Sequence, residues 1–165
     1  GVPLIEDDPY GELRFEGEHI APIVVIDASR NGGQRAGYFK GDVVYMSTLS
    51  KTLSPGLRLG WIVAPVEMVD KLLQAKQGAD LHTNTFSQMV AYEVIGDGFL
   101  EEHVREIRDV YRQRRDAMLA AMEEYFPEEV SWTRPQGGLF LWVKLPEAVD
   151  SQELPEKLGT DPSIE

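Results

Sequence analysis

The succession of hydrophobic patterns in this chain of 165 residues predicts an α/β fold followed by a second, smaller α+β unit. Short apolar and β-branched runs, typical of strands, occupy the sequence up to Val63, and helical periodicities follow them. A further two-stranded pattern comes after the longest of these helices. We therefore interpret residues 1–98 as part of an α/β layer structure, and residues 99–165 as a linking helix that leads into the smaller unit.

Four short runs predict strands in the first part of the chain. They are residues 2–5, 23–26, 43–46 and 59–63. The first run is apolar and ends in an acidic turn, so it predicts a buried strand. The second run is continuously β-branched, which is typical of a strand covered on both faces. The polar segment 11–21 reads as a loop, and Asn31 begins a glycine-rich turn at residues 31–34.

Three helices are predicted next, and the last of them is long. They are Val66–Ala79, Thr85–Ile95 with Thr85 as a candidate cap, and residues 99–126. The apolar positions of the third helix keep a period near 3.6 residues. Extended patterns at residues 131–132 and 139–143 flank a turn at 135–138, and residues 151–158 form a weak helical pattern that contains Pro155.

The composition excludes several classes of function. Acidic residues outnumber basic ones by 28 to 16, giving a net charge of −12, so we expect no nucleic acid to bind through this chain. No cysteine is present, which excludes disulfides, thiol catalysis and zinc–thiolate sites. No apolar run approaches the roughly 20 residues that span a bilayer. We expect a cytoplasmic protein with no membrane association and no metal site.

The segment between the third and fourth predicted strands, residues 48–58, carries the strongest chemical signal. Hydroxyl side chains surround Lys51, a Pro-Gly turn follows, and Arg58 ends the segment. Two cations in one tight loop repel each other unless an anion lies between them, and hydroxyls with a guanidinium fork suit a phosphate. A lysine amine can attack an aldehyde to form a Schiff base. Together these features indicate pyridoxal 5'-phosphate (PLP), an aldehyde that carries a phosphate.

Two residues near the first strand are candidates for further cofactor contacts. The pyridine nitrogen of PLP needs a carboxylate partner to stay protonated. Asp7 follows the first strand, where ligands of open α/β sheets bind, and Tyr10 lies three residues further on, in reach of the cofactor's phenolic oxygen. The alternatives are a turn-capping role for Asp7 and a core position for Tyr10. Asp8 is adjacent, but the spacing to Tyr10 favours Asp7.

Three stretches, residues 5–13, 48–61 and 135–142, resemble the class I and II aminotransferases, which are PLP enzymes of fold type I. The similarity runs from residue 1 to about 150 and is strongest to the branch of 2-aminoadipate, kynurenine and multi-substrate aminotransferases. It implies part of the large PLP-binding domain, with a mixed, mostly parallel sheet, plus part of the small C-terminal domain. It also implies a homodimer that moves an amino group between an amino acid and a 2-oxo acid.

The resemblance assigns roles to six residues. Lys51 forms the Schiff base with PLP and then acts as general acid and base. Asp7 pairs with the pyridine nitrogen, and Tyr10 contacts the phenolic oxygen O3'. The phosphate-binding positions are Thr48, Ser50 and Arg58. Ser47 and Leu49 stand where glycine and phenylalanine are more usual in the family, and both changes are compatible with phosphate binding.

Family members are more than twice as long as this chain, so the resemblance implies that further segments complete the site. An upstream phosphate loop and a downstream arginine for the substrate carboxylate have no counterpart here. We therefore expect the real protein to extend upstream and this chain alone to be inactive. Three other functions stay open: an aminotransferase-like effector domain of a helix-turn-helix transcription regulator, a PLP enzyme of β-elimination or decarboxylation, and a non-catalytic remnant.

Overall fold

The computed structural model describes residues 2–30 and 41–152. Contacts divide them into two compact units, one running to Arg112 and including Gln136–Gly138, the other comprising Gln113–Pro135 and the residues from Leu139 onward. The domain division that the sequence predicts after residue 98 concerns the whole protein and stays a prediction. The turn predicted at residues 31–34 lies outside the described residues, as does most of the weak helical pattern at 151–158.

A three-stranded mixed sheet organises the first unit. Its strands are β1 (Leu4–Asp7), β2 (Val43–Thr48) and β3 (Gly60–Val63), in the spatial order β1-β2-β3. β1 runs parallel to β2 with Asp7 opposite Met46, and β3 runs antiparallel to β2 with Thr48 opposite Gly60. Since β1 and β2 are parallel, their carboxyl ends meet at one edge of the sheet. The predicted α/β class with a mixed sheet is confirmed.

The strand predicted at residues 23–26 is wrong, because these residues begin a helix, α1 (Ile23–Arg30). The carboxylate of Glu6 accepts hydrogen bonds from the backbone N–H groups of Ile23, at 2.7 Å, and Val24, at 3.0 Å. These donors are among those that a helix N-terminus leaves without an intrahelical partner. A cap supplied from β1, distant in sequence, thus overrides the strand preference of the β-branched run.

Burial in the sheet also differs from the sequence prediction. The first strand was expected to be buried at residues 2–5, yet Leu4 is 42% and Ile5 68% exposed. Val43 and Val44 of β2 are buried, since β2 alone has a neighbouring strand on each side within the described residues. The hydrophobic runs on either side of β2 therefore belong to edge strands of this three-stranded sheet.

The three predicted helices are present and follow the sheet. They are α2 (Val66–Ala79), α3 (Thr85–Ile95) and α4 (Phe99–Tyr125). The cap of α3 differs from the prediction, because the side chain of Asn84, not Thr85, accepts a hydrogen bond from Ser87 N at 3.0 Å. Within the described residues, no helix is long and apolar enough to cross a membrane.

A small hydrophobic cluster connects α3 to the chain between β2 and β3. Leu49, Leu59 and Ala91 are its buried members, and the partly buried residues around them are Leu53, Leu57 and Ile95. Four of the six come from the segment that joins the two strands. This segment, which contains Lys51, is therefore anchored on its apolar side by α3.

The second unit contains the last turns of α4 and a short antiparallel pair. β4 (Ser131–Trp132) pairs with β5 (Val143–Lys144), so the strand predicted at 139–143 is reduced to its final residue and the one after it. Phe126 packs edge-to-face on Trp132, with ring centroids 5.7 Å apart. This aromatic contact joins the end of α4 to β4.

Replacing the acidic cap of α1 is expected to destabilise the whole protein. Glu6→Ala removes both acceptors for the first N–H groups of α1 and should lower the free energy of unfolding by about 1 kcal/mol or more. Urea unfolding followed by circular dichroism measures this effect. Glu124→Ala, at an exposed position of α4, is the matched control. A Glu6 variant as stable as the control would show that the cap contributes nothing.

Candidate functional site at the carboxyl ends of two parallel strands

The loop that follows β2 is closed by backbone hydrogen bonds at its base. Leu49 N donates to Leu59 O at 3.1 Å, and Leu49 O accepts from the N–H groups of Leu53, at 2.9 Å, and Ser54, at 3.0 Å. Leu49, Thr52 and Leu59 are buried, whereas Lys51 is only half-buried. Buried Leu49 and Thr52 thus lie close to a lysine that keeps part of its surface accessible.

Two predicted phosphate-binding hydroxyls lie next to each other at the end of β2. The Oγ atoms of Thr48 and Ser50 are 3.0 Å apart, and Ser50 N donates to Thr48 Oγ1 at 3.1 Å. Thr48 Oγ1 also donates to Leu59 O at 2.6 Å. Because these bonds are partly buried, they hold the hydroxyl pair in place before any ligand binds.

Arg58 occupies a strained backbone position one residue before Leu59. Its φ and ψ angles are 54° and 38°, in the left-handed region that non-glycine residues rarely adopt. The side chain is exposed, and its Nη1 atom donates to Pro55 O at 3.3 Å. Strain of this kind costs about 1 kcal/mol or more and is found most often at functional positions.

The amine of Lys51 lies beside the aromatic ring of Tyr10. Its Nζ atom is 5.8 Å from the centroid of that ring, which is within the range of a cation–π contact. Tyr10 comes from the turn after β1 and Lys51 from the turn after β2, so the parallel strand pair brings the two together. The sequence predicts both residues as parts of one site, and they are neighbours in the fold.

Asp7 ends β1 with its side chain exposed at the same edge of the sheet. With Ser47 and Thr48 it lines an open cavity of about 740 Å³. Tyr10 lines a different cavity, of about 610 Å³. The structure thus groups Lys51 with Tyr10 and Thr48 with Ser50, while Asp7 and Tyr10 open onto separate spaces.

Asp8, which the sequence analysis passes over in favour of Asp7, is held by four hydrogen bonds. Its N–H donates to Met46 O at 2.9 Å, and its carbonyl oxygen accepts from Ser47 Oγ at 2.8 Å. Its carboxylate accepts from Gly11 N at 2.7 Å and from the hydroxyl of Tyr45 at 3.2 Å. The signal in the sequence was an aspartate three residues before a glycine, which is typical of a side-chain-to-backbone turn.

The surroundings of Tyr45 favour its neutral form. Burial raises the pKa of the Tyr45 hydroxyl above its ordinary value of 10.0, and the charge and hydrogen bond of Asp8 and the charge of Glu6 act in the same direction. A hydrogen bond with Ser47 acts the other way but is outweighed. A protonated Tyr45 can donate to the Asp8 carboxylate over the whole physiological pH range.

The third predicted motif contacts the first one through backbone atoms. Gly138 N donates to Leu13 O at 3.0 Å, and Gln136 O accepts from Phe15 N at 3.0 Å. At Gly137 an added Cβ would lie 2.7 Å from the Cα of Arg14, so a side chain cannot fit there. The Gln-Gly-Gly sequence therefore permits the close approach of two chain segments that lie far apart in the sequence.

Metal binding has no support in residues 2–30 and 41–152. No group of three or more histidine, aspartate or glutamate side chains comes close enough there to hold an ion. The chemistry of the region rests on an amine, hydroxyls, a guanidinium and carboxylates.

Comparisons with known proteins point to one family. The family model described as aminotransferase class I and II matches residues 1–161. Over 154 residues the chain is 46% identical to aromatic-amino-acid aminotransferase 1 of Thermococcus litoralis, covering 93% of this chain and 34% of that protein. The chain thus spans about a third of the length of this relative.

A solved structure agrees in fold as well as in sequence. LysN, the α-aminoadipate aminotransferase of Thermus thermophilus, was crystallised with N-(5'-phosphopyridoxyl)-L-leucine. It superposes with a TM-score of 0.84 at 39% identity, over 94% of this chain and 38% of LysN. A relative of another kind is the uncharacterized HTH-type transcriptional regulator YdfD of Bacillus subtilis, which is 38% identical over 144 residues, covering 87% of this chain and 28% of the regulator.

The raised pKa of Tyr45 predicts how stability depends on pH. The pKa of Tyr45 is higher in the folded state than in the unfolded state. The neutral Tyr45 hydroxyl therefore contributes to the free energy of unfolding below pH 10.0, and this contribution is lost as the pH rises through the folded-state pKa. Tyr45→Phe should therefore lose less stability than the wild type between about pH 8 and about pH 11. Urea unfolding across this range tests it, with Tyr92→Phe, 80% exposed, as control. Parallel curves for wild type and Tyr45→Phe would contradict the prediction.

Proposed function

This chain belongs to the class I and II aminotransferases, and from that premise we propose that the whole protein moves an amino group between an amino acid and a 2-oxo acid. The family is PLP-dependent. The observation that carries the proposal is the position of Lys51, whose amine lies 5.8 Å from the Tyr10 ring at the carboxyl ends of two parallel strands. Ligands of open α/β sheets bind at such an edge.

The donor set of this edge fits PLP. The adjacent hydroxyls of Thr48 and Ser50 and the exposed guanidinium of Arg58 suit a phosphate dianion. Arg58 supports this role by its strained backbone, which a bound phosphate would offset. Lys51 supplies the amine for covalent attachment, and Asp7 supplies a carboxylate for the pyridine nitrogen.

Each side chain then has a task in the proposed transamination. PLP, when bound, supplies an electron sink for the bond to be broken at the substrate Cα. With PLP bound, the Lys51 amine would serve as general base and acid, taking the proton from the substrate Cα and returning it at the cofactor's C4'. Tyr10 orients the cofactor through its hydroxyl, and Asp7 holds the pyridine proton. Thr48, Ser50 and Arg58 would hold the phosphate.

A second function is favoured by the similarity to a regulator. The 38% identity with YdfD supports an aminotransferase-like effector domain joined to a DNA-binding helix-turn-helix. The full-length sequence and two assays separate the functions. Turnover of amino acids with 2-oxo acids supports the enzyme, whereas sequence-specific DNA binding that responds to PLP supports the regulator.

Assembly and location belong to the same proposal. We infer a homodimer, as the family resemblance implies, and a cytoplasmic location, which the absence of cysteine fits. Light scattering of the purified full-length protein measures the mass of the assembly, and cell fractionation measures its location. A monomer that turns over substrate would contradict the dimer while leaving the reaction intact.

Removal of the Lys51 amine is expected to abolish the reaction. In the full-length protein, Lys51→Ala should lower turnover by a factor of about 10³ or more, since it removes both the attachment point and the proton carrier. Borohydride reduction of wild type with PLP, followed by peptide mass spectrometry, should find the label on Lys51. Lys71→Ala, on the exposed surface of α2, is the matched control. Labelling of another lysine, or full activity of Lys51→Ala, would refute the assignment.

A further inference from the structure

We propose that Asp8 is a positioning residue, which, with Gly11, Tyr45 and Ser47, forms a cluster that fixes the turn carrying Asp7 and Tyr10 against the strand that leads to Lys51. This cluster is called the Asp8 cluster below. The inference rests on the proposed function, because it concerns how precisely the cofactor's partners are held. The family resemblance gave no role to Asp8, Tyr45 or Ser47.

Four hydrogen bonds hold Asp8, and they reach in two directions. Three come from β2: Met46 O accepts from Asp8 N, Ser47 Oγ donates to Asp8 O at 2.8 Å, and the Tyr45 hydroxyl donates to Asp8 Oδ2 at 3.2 Å. The fourth, from Gly11 N to Asp8 Oδ1 at 2.7 Å, closes the turn around Tyr10. One aspartate thus couples the geometry of the turn to the strand that ends three residues before Lys51.

The neighbouring residues are fitted to this arrangement. A Cβ added at Gly11 would lie 2.5 Å from both carboxylate oxygens of Asp8, so a larger residue there would displace the carboxylate. Ser47 stands where glycine is more usual in the family, and its hydroxyl is what binds the backbone of Asp8. The serine at position 47 therefore adds a hydrogen bond to the Asp8 backbone that a glycine could not make.

Asp7 and Asp8 differ in role, because the Asp8 carboxylate already accepts hydrogen bonds from Gly11 N and the Tyr45 hydroxyl, whereas the Asp7 side chain is exposed. Successive residues of an extended chain point to opposite faces. Asp7 lines a cavity with Ile62, and Asp8 lines the cavity that contains Tyr10 and Gly11. Thr48 borders both the Asp7 cavity and a third cavity, which Asp8 and Tyr45 line. Asp8 therefore fixes the turn through its hydrogen bonds, while the Asp7 carboxylate stays exposed at the edge of the sheet.

The inference makes a graded prediction in the full-length protein loaded with PLP. Asp8→Asn keeps an acceptor oxygen for Gly11 but loses the charge, and Asp8→Ala loses every side-chain bond. We expect kcat to fall in that order, by about 10-fold to about 100-fold, with a smaller change in KM, because small misplacements of catalytic groups cost rate more than binding. Ser47→Gly should give a mild effect of the same kind. Asp70→Asn, exposed on α2, is the matched control.

A spectroscopic measurement separates positioning from mere stability. The absorption of PLP bound to Lys51 changes with pH, and its midpoint reports the contacts of Asp7 and Tyr10 with the cofactor. We expect this midpoint to move in Asp8→Asn and Ser47→Gly and to stay fixed in Asp70→Asn. Variants that are less stable to urea, yet keep the wild-type midpoint and kcat, would overturn the proposal.

The outcomes also distinguish the two proposals from each other. Wild-type protein that carries PLP on Lys51 but transfers no amino group refutes the proposed function, and the pH midpoint alone then decides the positioning role. Wild-type protein that binds no PLP refutes both. If Asp8→Ala does not fold, Ser47→Gly and Tyr45→Phe, which each remove one hydroxyl from the cluster, decide the question.

Discussion

The parallel pairing of β1 with β2 is the constraint on which the candidate site depends. It sets Asp7 opposite Met46, and so it brings the turn after one strand to the turn after the other. Lys51 and Tyr10 become neighbours only through this register. Since the side chains of a strand alternate between faces, a slip by one residue would exchange the positions of Asp7 and Asp8. The Asp8 N–H bond to Met46 O continues the ladder beyond the strand and opposes such a slip.

Three consecutive acids at the end of β1 lie in different surroundings, because side chains alternate between the two faces of a strand. Glu6 caps the N-terminus of α1, and Asp8 holds the turn around Tyr10. Asp7, between them, stays exposed at the edge of the sheet. Asp27 of α1 adds two similar bonds, accepting from the N–H groups of Asp42, which precedes β2, and Val43, which begins it. Carboxylates thus join α1 to both β1 and β2.

The sequence predicts those features that depend on local signals. Helical periodicity located α2, α3 and α4, and the lysine, hydroxyl and arginine pattern between two strands located the loop of Lys51. The strand prediction at residues 23–26 was wrong because these residues form the start of α1, which is capped by Glu6. Glu6 lies 17 residues before Ile23, so the pattern within residues 23–26 does not reveal this cap. The edge positions of β1 and β3 and the connections of Asp8 likewise depend on which segments meet in space. Hydrogen-bond and strand partners that are distant in sequence produce no periodic pattern in the residues they contact.

The segment from Thr48 to Leu59 combines a rigid base with strain at its far end. The bonds of Leu49 and Leu59 and the cluster under α3 fix the base, whereas Arg58 is held in a left-handed conformation. A glycine would adopt that conformation without strain, so the choice of arginine costs stability and must be offset elsewhere. Packing of the buried Leu49 and Leu59 on either side of the loop contributes to that compensation. The same packing keeps the Thr48 hydroxyl and the Lys51 turn in a fixed relation, so the stability of the cluster and the geometry of the site are two consequences of one set of contacts.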